Sequence, residues 1–131
     1  MRRGLIALAC VASPALAQDQ VPPPDYFVTS AMETSTAQIL AVNCATISIN
    51  PGAMSRASEI VLDQLEQDGF TPENLVTRMA DPSDAIGALQ DAFLSKHGLA
   101  DGATEDLVCA AAAREIEEGT GIGALLLEVG E

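Results

Sequence analysis

Apolar residues recur along this chain at helical spacing, the mark of helices that bury one face. Ile39, Leu40, Cys44 and Ile47 predict a first helix over residues 29–48, stopped by Asn50-Pro51-Gly52. Met54, Ala57, Ile60, Val61 and Leu65 mark a second over 53–67, with Gly69 placed to close it in a left-handed conformation. Thr71-Pro72-Glu73 opens a short third helix ending near Ala80, with a capping hydroxyl, proline at the first position and an acid in the first turn. Asp81-Pro82 opens a fourth in the same way; Ile86, Leu89, Ala92 and Phe93 form its stripe and Gly98 its stop. Thr104 caps a fifth, on which Val108, Cys109, Ala112 and Ile116 share a face, and Gly119 breaks it. Residues 120–129 read as a final short apolar helix. Val, Ile and Tyr never gather into alternating runs between tight turns, so no strand is predicted. The expected fold is all-α, a small bundle of five to six helices.

The segment ahead of these helices has a different character. Arg2 and Arg3 form a basic start, Leu5 to Ala12 a short apolar run, and Ala15-Leu16-Ala17 a small-residue site before Gln18. This is the pattern of a secretory signal over residues 1–17, cut between Ala17 and Gln18. The apolar run falls far short of the ~20 residues that span a bilayer. Lipidation at Cys10 is the alternative, but Ala7-Leu8-Ala9 lacks the large apolar residue expected before such a cysteine. Residues 18–28, with Pro22-Pro23-Pro24, read as an extended lead-in, and residues 29–131 as a single helical domain. The expected location is periplasmic or secreted, with no membrane span in the mature chain.

Export makes the cysteines informative. Removal of Cys10 leaves Cys44 and Cys109, which in an oxidising compartment are expected to pair and join the first and fifth helices. They lie too far apart in sequence for a CxxC redox couple. A cross-link matters here, because Tyr26, Phe27, Phe70 and Phe93 are the only aromatic residues.

Charge narrows the function. Loss of Arg2 and Arg3 leaves four basic residues against nineteen acidic ones, a net −15 that argues against a nucleic-acid partner. With so few cations available, most carboxyl groups are expected to have folded-state pKa values at or above their unfolded ones. His97, the only histidine, sits at a predicted helix C-terminus, where an imidazole complements exposed carbonyls; no nucleophile or orienting acid can be named for it. One histidine and two paired cysteines cannot hold zinc, and the Asp68-Gly69 stretch lacks the EF-hand acids, so neither metal nor cofactor is expected. Gly119-Thr120-Gly121-Ile122-Gly123 follows a helix and lacks lysine, which makes it a hinge instead of a phosphate loop. Glu115, Glu117 and Glu118 crowd the last turn of the fifth helix against its dipole. They read either as acids preceding the next helix N-terminus or as a small acidic contact surface.

Cys44 and Ile47, then Cys109, Glu115, Ile116, Gly119, Thr120, Ile122, Gly123, Leu125 and Leu126, carry a resemblance. The chain resembles a domain of unknown function found in small exported proteins of Rhodobacter- and Roseobacter-type alphaproteobacteria. It departs from that pattern at Ala112 and Ala113, where Gly and Arg are expected, and at Ala124, where a basic residue is common. The resemblance implies export and the disulfide, and no activity. With no catalytic constellation in sight, the expected function is non-enzymatic: a periplasmic helical domain that binds a protein partner or supports the envelope. The alternative is a small acid- or stress-activated periplasmic chaperone.

Overall fold

The computed structural model describes residues 20–130. The expected signal over residues 1–17 and its expected cut between Ala17 and Gln18 therefore lie outside the described residues. The extended lead-in is shorter than expected. Val21 forms a parallel bridge to Met79, and the first helix starts directly after Pro24. Proline at this point costs no helical hydrogen bond, and its carbonyl accepts from the Val28 N–H at 3.1 Å.

Helix α1 (Asp25–Val42) ends six residues before the predicted end at Ser48. The Asn43 side chain donates to the Ile39 carbonyl at 2.8 Å, satisfying an orphan acceptor of the last turn. Beyond it the chain turns and forms β1 (Ile47–Ile49). Asn50 then caps α2 (Pro51–Gln67), its Oδ1 accepting from the Ala53 N–H at 3.1 Å with Pro51 at the first helical position. The tripeptide read as a stop is a start. Gly69 closes α2 at φ 82°, where only glycine is comfortable.

Thr71 and Asn74 bond reciprocally, each side chain accepting from the other's backbone N–H, which holds a turn and leaves α3 (Leu75–Arg78) a single turn of helix. Asp81 anchors the start of α4 (Ser83–Lys96) by accepting from the Ser83 N–H and hydroxyl. The buried side of α4 is Phe93 with half-buried Ile86, Gln90 and Leu94, while Leu89 and Ala92 face outward. The helix is rotated from the predicted stripe because it packs on α1, where Gln90 donates to the Ser35 hydroxyl. Thr104 caps α5 (Glu105–Glu118) and Gly119 ends it at φ 66°, both as predicted.

The final segment departs most from expectation. It makes one helical turn, α6 (Gly121–Ala124), and then β2 (Leu126–Glu128), which pairs antiparallel with β1 in the register Ile47↔Glu128 and Ile49↔Leu126. The strands are too short to show a period of two, and they lie far apart in sequence. The fold remains mostly helical with one small ribbon.

The main core gathers Ala37, Leu40, Phe93, Val108, Ala112, Ile122 and Leu125 from α1, α4, α5 and α6. Ala37 and Ala112 are fully buried, and their small side chains let helix axes approach closely. A smaller cluster of Leu65, Phe70 and Met79 packs α2 and α3 on the lead-in. Cys44 and Cys109 pair as expected, with 5.2 Å between their Cα atoms, but the bond ties α5 to the turn after α1 instead of to the helix itself.

Candidate functional site: an apolar groove and a buried carboxylate

Two features stand out from a scaffold of this size, and both are built on α1, α4 and α5. The first is a groove of about 660 Å³ between α1, α4 and the start of α5. Leu40, Cys44, Phe93 and Val108 form its floor, and Glu105 is its one charged lining residue. On the α1 side, Ile39 and Val42 stand 56% and 84% exposed. The cause is local: the helical spacing of α1 turns Leu40 into the core and leaves Ile39 and Val42 on the side of the helix that faces water.

The second feature is Glu115, which the helical spacing of α5 turns inward until it is 2% exposed. The neighbouring elements supply its partners. Lys96, at the end of α4, donates from Nζ to Oε1 at 3.0 Å, and His97 donates from Nε2 to the same oxygen at 2.9 Å. An ionised carboxylate only accepts, so Nε2 carries the hydrogen. The Thr120 hydroxyl, which caps α6, donates to Oε2 and accepts from the Gly123 N–H at 3.1 Å. Lys96 also reaches Oε2 of Glu118 at 2.8 Å, and Arg114 holds the other oxygen of Glu118 at 2.9 Å. The His97 ring packs on Phe93 with centroids 4.7 Å apart. Gly123 permits the arrangement: a Cβ there would overlap the Glu115 carbonyl.

The electrostatics follow from these contacts. Burial pushes the Glu115 carboxyl up, but hydrogen bonds from His97, Thr120 and Lys96, with the Lys96 charge, outweigh it and hold the group below the ordinary value. Hydrogen bonds from Lys96 and Arg114 lower Glu118 in the same way, and the bonds to Glu118 and Glu115 raise Lys96. Glu33 of α1 behaves oppositely: burial, then the charge of Glu115, pushes its carboxyl up. Far from the cluster, burial and the hydrogen bond to Asp68 push the Tyr26 hydroxyl to about 12. Three of the four carboxyl groups with a clear shift, Asp81, Glu115 and Glu118, move down and are exceptions to the sequence expectation. Lys96 serves two acids at once, and Ser83 donates twice to Asp81; neither effect is visible in a charge count.

The acidic contact surface is corrected by this geometry. Glu115 is buried and paired, so only Glu117 and Glu118 of the three acids reach the surface. His97 stands at the C-terminus of α4 as expected, but its side chain is 3% exposed and serves Glu115 instead of the helix carbonyls. Sequence reasoning missed Lys96, Thr120 and Glu33 as partners. Chemically, the carboxylate lies between the imidazole and the hydroxyl. A nucleophile–imidazole–carboxylate relay needs the imidazole in the middle, so Thr120 is not activated in that manner. Among the described residues no group of three or more His, Cys, Asp or Glu side chains is arranged to hold a metal ion, and no helix is long and apolar enough to cross a membrane.

Residues 20–127 match the model of a family of unknown function, DUF5333. The chain belongs to DUF5333. The match spans Cys44, Cys109, the groove and the Glu115 cluster. No curated protein and no solved structure matches the chain.

Proposed function

We propose that this DUF5333 protein is a non-enzymatic periplasmic domain that binds a protein partner in the groove between α1 and α4. The observation that carries this reading is the pairing of a 660 Å³ apolar groove with the exposed Ile39 and Val42 beside it. Apolar side chains left in water beside a concave apolar floor gain free energy when a partner covers them, at roughly 25 cal/mol per Å² buried. The charge of the chain, −13 over its full length, favours a partner that carries lysine or arginine around its apolar anchor. The disulfide beneath the groove, through Cys44, keeps the floor rigid and so lowers the ordering cost of binding.

The test is copurification from periplasm with the wild type and an Ile39→Asp/Val42→Asp variant. Both side chains are exposed, so the variant keeps its fold while the groove loses its apolar edge. A basic partner retained by the wild type, released by salt and absent from the variant supports the reading. Equal retention by both proteins would overturn it. A chaperone would instead suppress aggregation of many unfolded clients, at pH 3 more than at pH 7, without one stoichiometric partner.

A further inference from the structure

We propose that Glu33 is a proton-operated latch between α1 and the α5–α6 corner, tightening that seam in mild acid. Glu33 sits near the middle of α1, half-buried, with its carboxylate lying against the backbone of Gly121. A Cβ at Gly121 would overlap the Glu33 carboxylate, so glycine there leaves the room this group occupies. Among the described residues Glu33 has neither an ion pair nor a side-chain hydrogen bond. Its charged neighbour is Glu115 of α5.

The cations of this region are already committed. From α4, Lys96 holds Glu115 and Glu118, and His97 holds Glu115. From α5, Arg114 holds Glu118. From the α6 cap, Thr120 brings a hydroxyl, which is donated to Glu115. Ionised Glu33 therefore faces a carboxylate across the seam with nothing opposite in charge to spare. A proton taken from water cancels that repulsion and leaves a neutral carboxyl against the Gly121 backbone. Burial and the Glu115 charge raise the Glu33 pKa, which agrees with this direction. The ionised form costs stability at neutral pH; the cost is relieved as pH falls through the raised value and is gone below the ordinary 4.5.

The latch is tested with Glu33→Gln, which has the size of the protonated side chain and cannot ionise. Thermal midpoints and amide exchange at Gly121 and Gly123 are followed from pH 7 to pH 5 at fixed salt. In the wild type the midpoint shifts upward and both amides gain protection as pH falls. In Glu33→Gln the midpoint at pH 7 already stands above the wild type's, and the pH dependence is reduced. Carboxyl ¹³C NMR of the wild type reads Glu33 directly. A Glu33 titration at or below the ordinary glutamate value, or a variant with the wild-type slope, would overturn the proposal.

Discussion

Glu115 is the residue on which most of the polar architecture converges. Two donors come from α4, one from the cap of α6, and its own carbonyl is packed against Gly123. Replacing it with alanine strands the His97 Nε2–H in a buried site and frees Lys96 and Thr120. Breaking a buried, hydrogen-bonded pair from one side costs about 3 kcal/mol. Glu115→Ala is expected to lose about that much in chemical denaturation, with most of the effect in faster unfolding if the cluster forms late. Gly123→Ala attacks the same point through shape, because its Cβ meets backbone that has little room to yield. About 2 kcal/mol of destabilisation is expected there, whereas Gly87→Ala, whose Cβ meets nothing, should be neutral or stabilising.

At the scale of elements, the helix boundaries set by local chemistry were legible in the sequence. Thr104, Gly119, Asp81 and Gly69 act at the ends where they were read. Where two local signals compete, the sequence alone does not rank them: Asn50-Pro51-Gly52 suits both the end of one helix and the start of the next, and it acts as the start. The ribbon was not legible, because Ile47–Ile49 and Leu126–Glu128 pair with each other across most of the chain. The buried cluster had a visible trace in three acids at a helix C-terminus, against the dipole. What was missing was the knowledge that Lys96-His97 would be delivered to the same corner by the packing of α4. The cysteine pair was legible because, with Cys10 set apart in the apolar run near the start of the chain, Cys44 and Cys109 have one partner each. Its loop of 65 positions is worth about 4 kcal/mol in loop entropy. A Cys44→Ser/Cys109→Ser variant is expected to melt at a clearly lower temperature, and reductant should bring the wild type down to the variant's midpoint.

For the whole molecule, charge and pH are linked through groups that pull in opposite directions. The excess of acids makes the neutral-pH fold self-repelling, so added salt is expected to raise its midpoint. Glu33, raised above the ordinary value, gives back stability as pH falls towards 4.5. Glu115, lowered, contributes stability that is fully present above 4.5 and is lost as pH falls through its depressed value. The thermal midpoint should therefore hold or rise from pH 7 to pH 4.5 and fall below that. Self-association is expected near the isoelectric point of about 4.1, where repulsion no longer offsets the exposed Ile39, Val42, Ile60 and Leu62. A calorimetric series at fixed ionic strength checks both limbs; a steep drop between pH 7 and pH 4.5 would mean that ion pairs, not relief of repulsion, dominate in that range.

The groove is the proposed meeting point with another molecule, and a photo-crosslinking residue at Val42 probes it most directly. Val42 ends α1 at the groove and is 84% exposed, so the probe disturbs no packing. The same residue at Ser58, on the outward face of α2, serves as control. Irradiation in the periplasm is expected to give one discrete adduct from position 42, with a basic protein, that disappears when Ile39→Asp is added. A ladder of adducts no different from the control at position 58, or an adduct indifferent to Ile39→Asp, would contradict the assignment of the groove as a partner-binding site.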